Sequence, residues 1–305
     1  MNKNFIAKLP EKFRRNTLDL CGKLGEQWLN DLPRIIEEIE SRWRLNAEKP
    51  FQNLSYNYVA PCVCADCGEA VLKIAPPLNN PEIFNEERFL QMANGNGAVK
   101  LLKSDKSLRA ILLEKLTPGE NLKEVCRRDD AKAVEVFITI MDKLLKDSPP
   151  NLAFRSLDEW FNNFFEEAAN TKFPFEFQNK TRKFYEQLSN VSKQKFLLHG
   201  DLHHENILSA GREAFLAIDP KGIIGEVGYE TAVFLNNHHW WLASEPNLEE
   251  KLNDAVRRFS EAFAIKPLDL RKWAYSQMVL SAWWTFDENG KNWEKDLAFA
   301  EFWEV

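Results

Sequence analysis

Hydrophobic periodicity switches between helical and strand character along this chain, and the order of those switches limits the architectures open to it. Over "LSYNYVAPCVCADCGEAVLKIAPP", residues 54–77, two apolar-aromatic runs flank a small polar turn at Ala65 to Glu69, the pattern of a β-hairpin closed by Pro76 and Pro77. "EIFNEERFLQMANGNG" then has helical period and ends in glycines, "AVKLLKSD" and "LRAILLEKL" read as strands, and "TPGENL" reads as a turn. From about residue 127 the period is helical, broken only by the short apolar runs "KFLLHGD" and "AFLAIDP".

Before the hairpin, Trp28, Leu32, Ile35, Ile39 and Trp43 recur at helical spacing, and Asp31 two residues before Pro33 reads as an N-cap. The expectation is an α+β chain: a small mixed half, an antiparallel sheet with helices, over residues 1–115, and a larger, mainly helical half over 116–305. With 305 residues, 44% of them hydrophobic, both halves can bury a core.

The formal charge of -6 argues against a nucleic-acid or anionic-membrane partner and favours a cationic small molecule. Five cysteines, no apolar leader in "MNKNFIAKLPEKFRR" and no stretch of membrane-spanning length point to a cytoplasmic protein with reduced thiols.

Chemistry concentrates in "HGDLHHENIL", residues 199–208. Asp201 is followed after four intervening residues by Asn206, and Asp219 comes thirteen residues later at the end of an apolar run. Phosphoryl transfer needs a carboxylate to orient the acceptor hydroxyl and hard oxygen ligands for Mg²⁺, and this spacing supplies both. It also needs a cation on the phosphates: Lys73, alone in the apolar run "AVLKIA", requires a partner if buried. Glu86 on the following helix is the candidate, with Glu87 as the alternative.

With these residues in view, the chain resembles the streptomycin 6-phosphotransferase and hydroxyurea-resistance branch of the aminoglycoside phosphotransferases. "LSYNYVAP", "VLKI", "GNGAVKLL", "LLEKLTPGENL", "LLHGDLHHENIL" and "AIDPKGIIGEVGYETAVFLNN" carry the resemblance over nearly the whole chain. It implies a two-lobed protein-kinase-like fold, ATP and Mg²⁺ as cofactors, and a monomer or weak dimer. It also assigns Asp201 as catalytic, Asn206 and Asp219 as magnesium ligands, Lys73 as the phosphate contact with Glu86, and a hinge near Glu114 to Leu116 for the adenine. The expected reaction is transfer of the γ-phosphoryl group to a small hydroxylated acceptor such as streptomycin. The alternatives are another small hydroxyl compound, hydroxyurea among them, or a non-catalytic nucleotide-binding protein. Relatives often carry Asp where this chain has Glu230.

Other readings compete locally. His199, His203, His204, His238 and His239 with Asp201 could form a hydrolase metal nest, but that leaves Asn206, Asp219 and Lys73 without roles. His199 is expected to bond backbone or Asp219, while His203 and His204 either face the acceptor or pack. Cys62, Cys64 and Cys67 could offer three thiolates to zinc, though ordinary surface thiols are the simpler reading. "NLSYNYVA" lacks a glycine cradle, leaving Ser55 and Asn57 as the polar groups of the nucleotide loop. Glu205, Glu226, Glu230, Asp287 and Glu288 could form an acidic face for a cationic acceptor. Trp240, Trp241, Trp283 and Trp284 could stack on it or belong to the core.

Overall fold

The computed structural model describes residues 5–79, 82–145, 154–169, 171–191, 194–237 and 247–304. Two compact units divide the chain, Met1–Gly119 and Glu120–Val305.

In the first unit, helix α1 (Glu11–Trp43) lays its apolar stripe on a five-stranded sheet. The strands are β1 (Leu45–Ala47), β2 (Tyr58–Cys64), β3 (Gly68–Ile74), β4 (Leu101–Asp105) and β5 (Ala110–Glu114). Their order is β1-β2-β3-β5-β4, every pairing antiparallel. Phe13, Leu32 and Ile39 of α1 meet Tyr58, Ala60, Leu72 and Ile74 of the sheet in one buried cluster. Helix α2 (Ile83–Ala93) ends at Asn94 in the left-handed conformation, before Gly95 and Gly97.

Asp31 is not an N-cap. The helix begins at Glu11 and runs through Pro33, its one non-helical residue being Gly22 (φ 53°, ψ -129°). Trp28, Leu29, Leu32, Ile36, Ile39 and Trp43 bury a stripe continuous across the proline, and that packing outweighs one lost backbone bond. "TPGENL" is also more ordered than a turn, since it contains strand β6 (Pro118–Asn121).

The cysteines are not surface thiols. Alternation along β2 turns Cys62 and Cys64 inward, each 2% exposed, and the hairpin turn brings Cys67 back to Cys64 with a Cα separation of 5.3 Å, where the two form a disulfide. Among the described residues no group of three His, Cys, Asp or Glu is placed to hold a metal ion.

The second unit is helical around two small sheets. Its helices are α3 (Leu122–Cys126), α4 (Asp130–Leu144), α5 (Leu157–Ala168), α6 (Phe175–Val191), α7 (Val227–Asn237), α8 (Leu248–Phe263), α9 (Pro267–Asn289) and α10 (Trp293–Ala300). One sheet joins β6, β9 (Ile207–Ala210) and β10 (Phe215–Ala217). The other places β11 (Ile223–Gly225) between β7 (Arg155–Ser156) and β8 (Phe196–Leu198). Phe137, Phe234 and Phe259 form one aromatic cluster in this unit, and Phe161, Tyr185, Tyr229 and Trp273 another. Among the described residues no helix is long and apolar enough to cross a membrane.

Candidate active site

Strand β8 delivers the chain to His199, whose buried ring ties two loops together. With Nδ1 accepting the Asp201 N–H at 3.3 Å, Nε2 carries the proton and donates to the Ile218 carbonyl at 2.9 Å. Burial pushes the imidazole down to about 3, so it is neutral and bonds as a fixed strut. Its own carbonyl accepts the N–H groups of Lys221 and Gly222 at 2.9 and 3.0 Å. Gly200 turns the chain with φ 86°, and a Cβ there would come within 3.0 Å of Ile223 Cγ2.

Asp201 follows this turn with a third of its side chain exposed. Asn206 Nδ2 donates to the Asp201 carbonyl at 2.9 Å and reaches its Oδ2 at 3.5 Å. His203 Nε2 lies 3.2 Å from the same amide nitrogen and 3.8 Å from Asp201 Oδ1. The Asn206 carbonyl in turn accepts the Ile218 N–H at 2.9 Å. Ile218 is thus gripped at its N–H by Asn206 and at its carbonyl by His199, which sets the position of Asp219. Asp219 itself adopts φ 60°, a left-handed conformation that Asp tolerates better than most residues.

A further residue controls Asp201. Glu230, wholly buried on α7, accepts the Gly200 N–H at 2.7 Å through Oε2 and the Leu202 N–H at 2.9 Å through Oε1. One carboxylate therefore holds the peptide groups on both sides of Asp201. Burial pushes its pKa up to about 7, against the pull of those two N–H groups and with the Asp201 charge adding to the rise. Sequence reasoning placed Glu230 on an acidic surface; the available signal was a lone acid in the apolar run "GYETAVF".

Glu226 also leaves the expected acidic face. It is 4% exposed and paired with Lys195 at 2.6 Å. Burial raises its pKa, and Lys195 opposes the rise. Glu205 stays exposed and pairs with Lys123 at 3.0 Å. His204 packs, its buried ring stacked on Phe234 at 3.9 Å. His238, His239, Trp240 and Trp241 lie outside the described residues.

In the first unit, register places Lys73 of β3 opposite Val59 and Ile111 in the middle of the sheet. Its Nζ meets Glu86 Oε2 at 2.6 Å, with the two side chains only 6% and 3% exposed. Glu87, the alternative partner, instead accepts from Ser104 Oγ at 2.8 Å and Gln91 Nε2 at 3.2 Å. Glu114 ends β5 with its carboxylate accepting the Lys100 N–H at 2.8 Å, and Leu116 lies half-buried in the break before β6. The Ser55 carbonyl accepts from Asn16 Nδ2 at 3.1 Å.

Comparison with known proteins places these residues in context. A family model described as aminoglycoside/hydroxyurea antibiotic resistance kinase matches residues 42–290. The chain is 25% identical to a streptomycin 6-kinase of Streptomyces glaucescens over 94% of each chain. It is 28% identical to a hydroxyurea phosphotransferase of Kitasatospora aureofaciens over 97% of this chain and 86% of that one. Among solved structures, the aminoglycoside phosphotransferase APH(4)-Ia superposes with a TM-score of 0.61 at 14% identity, covering 89% of this chain and 96% of its own. A thermostable mutant of that protein, solved in ternary complex with ADP and hygromycin B, superposes with a TM-score of 0.58 at 12% identity, covering 88% and 95%. The fold is therefore protein-kinase-like, as the sequence led us to expect.

Proposed function

The chain belongs to the aminoglycoside/hydroxyurea antibiotic resistance kinase family, and from that premise we propose that it transfers the γ-phosphoryl group of ATP to a hydroxyl of an aminoglycoside of the streptomycin type. The observation that carries the reading is the clamp on Asp201: Glu230 grips the N–H groups on either side of it while the Asn206 amide bonds its carbonyl and reaches its carboxylate. An aspartate whose backbone is held on both sides and whose carboxylate is still partly exposed suits a group that must meet a substrate hydroxyl in one orientation.

In this reading Asp201 accepts or orients the acceptor proton as the hydroxyl oxygen bonds to phosphorus and the bond from phosphorus to the departing ADP oxygen breaks. Lys73, oriented by Glu86, holds the nucleotide phosphates. The backbone near Glu114 and Leu116 would take the adenine. Asn206 and Asp219 fit a magnesium ion by donor chemistry. The Asn206 amide nitrogen is committed to Asp201, so its oxygen is the atom offered to a cation, and Asp219 adds a carboxylate. When bound, magnesium neutralises charge on the phosphates.

The names of the similar proteins support streptomycin first and hydroxyurea second as the acceptor. The test is ADP release by the purified protein with Mg-ATP, scanned over streptomycin, other aminoglycosides, hydroxyurea and simple amino alcohols, with Asp201→Asn as control. Streptomycin-dependent turnover that disappears in the variant is expected. Turnover only with hydroxyurea would reassign the acceptor, and turnover unchanged by Asp201→Asn would overturn the proposed chemistry.

A further inference from the structure

The adjacent tryptophans of α9 have opposite fates. Trp283 is 3% exposed, packed among Phe164, Phe173 and Phe286 with ring centroids 5.6 to 6.0 Å away. Trp284, one position further round the helix, is 37% exposed and meets Trp160 of α5 edge to face, centroids 5.3 Å apart and planes at 88°. Trp160 is half-buried and stands edge to face with Tyr229 at 6.1 Å. Tyr229 adjoins Glu230, the residue that grips the backbone on both sides of Asp201. The rings Tyr229, Trp160 and Trp284 therefore form a continuous file from beside the catalytic loop to solvent.

We infer that Trp160 and Trp284 form an aromatic subsite for an organic cation carried by the acceptor, a guanidinium being the group best suited to their flat faces. This deepens the kinase reading above and rests on it for the reaction that follows binding. Trp283 is sealed in packing, whereas Trp284 leaves over a third of its indole open beside a second, half-buried indole. Indole faces attract cations, and guanidinium stacks on them with little loss of hydration. Charge agrees: Asp287 and Glu288, both exposed, sit three and four residues beyond Trp284 and so share its side of the helix, in a chain of net charge -6.

The experiment measures streptomycin, a hydroxylated guanidinium-bearing probe, by two routes: calorimetric binding to the intact protein and ADP-release kinetics with Mg-ATP. Trp284→Ala is expected to weaken streptomycin binding and raise its KM by roughly 2- to 30-fold, the range a cation over an indole spans. kcat and Mg-ATP affinity should stay within about twofold, because the indole contacts only the acceptor's cation in this assignment and not the reacting groups. Trp284→Phe should recover most of the affinity, and Asp287→Asn with Glu288→Gln should weaken binding more at low than at high salt. Methylguanidinium should compete with streptomycin, whereas the neutral polyol inositol should not.

Unchanged streptomycin affinity in Trp284→Ala, or no binding by the unaltered protein, overturns the subsite. Failure of the kinase reading looks different: no Mg-ATP binding and no ADP release, whatever streptomycin does in the calorimeter. Trp160→Ala serves as a second probe, with Trp160→Phe to separate lost packing from a lost cation contact.

Discussion

Replacing Glu230 should cost stability and activity by separable amounts. In Glu230→Ala the buried N–H groups of Gly200 and Leu202 lose their acceptors. At about 1–3 kcal/mol for each buried donor left unpaired, the expected loss is roughly 2–6 kcal/mol. Glu230→Gln keeps one acceptor oxygen but turns an amide NH₂ toward the other N–H, so it should fall in the lower half of that range.

The titration of Glu230 supplies a second, independent signature. Its pKa in the folded protein is raised to about 7 from an ordinary 4.5. A raised carboxyl means that the folded state holds the proton more tightly than the unfolded chain. Its stabilising contribution is thus complete below about pH 4.5 and is lost as pH rises through 7. At ~1.4 kcal/mol per pH unit that window amounts to roughly 3 kcal/mol, which Glu230→Gln should remove from the slope of stability against pH.

Urea denaturation from pH 4.5 to 8, for the unaltered protein and both variants, reads both effects, and kcat at pH 7.5 reads the third. A displaced Asp201 should lower kcat by about 100-fold while Mg-ATP affinity persists. Glu230→Ala within 0.5 kcal/mol of the parent, or a Gln variant with an unchanged pH slope, would refute the clamp.

Further perturbations probe the rest of the site. Asp201→Asn should lower kcat by about 10²–10⁴ with nucleotide binding retained, measured by ADP release beside calorimetry. Lys73→Met should deprive the buried Glu86 carboxylate of its ammonium and cost about 3–5 kcal/mol, and Lys73→Met with Glu86→Leu should recover much of that stability in urea melts without recovering turnover. Chelation of divalent ions should abolish ADP release and added Mg²⁺ restore it, with Asp219→Asn raising the Mg²⁺ concentration for half-maximal rate; turnover that persists in chelator counts against the metal assignment. Gly228→Ala would bring a Cβ within 2.2 Å of Trp273 Cδ1 and should cost about 1–3 kcal/mol by overpacking where α7 meets α9, visible as a lowered denaturation midpoint.

Much of this protein is legible in local chemistry alone. The β2–β3 hairpin, α2 with its glycine-rich stop, and the strands around the Asp201 loop follow from period two, period 3.6 and turn residues that act within a few positions of each other. Lys73 is conspicuous because a lone ammonium in an apolar strand demands a partner, and the fold supplies Glu86 rather than Glu87. Asp201, Asn206 and Asp219 stand out by spacing alone.

Tertiary structure decided what depends on residues far apart in sequence. Helix α1 crosses Pro33 because the sheet rewards a continuous apolar stripe, a gain invisible in the proline's neighbourhood. Cys62 and Cys64 are buried because strand register turns them inward, and Cys64 finds Cys67 because the hairpin closes. Glu230 and Glu226 look in sequence like surface acids, as Asp287 and Glu288 are, since composition cannot tell a solvated carboxylate from a buried one that has found its donors. Only the docking of α7 beneath the loop that carries Asp201 brings Glu230 to two N–H groups 28 and 30 residues away, and only the crossing of α5 and α9 brings Trp284 to Trp160. Patterns of period and spacing are short-range properties of a chain, whereas burial and long-range partnership exist only once its distant parts have packed.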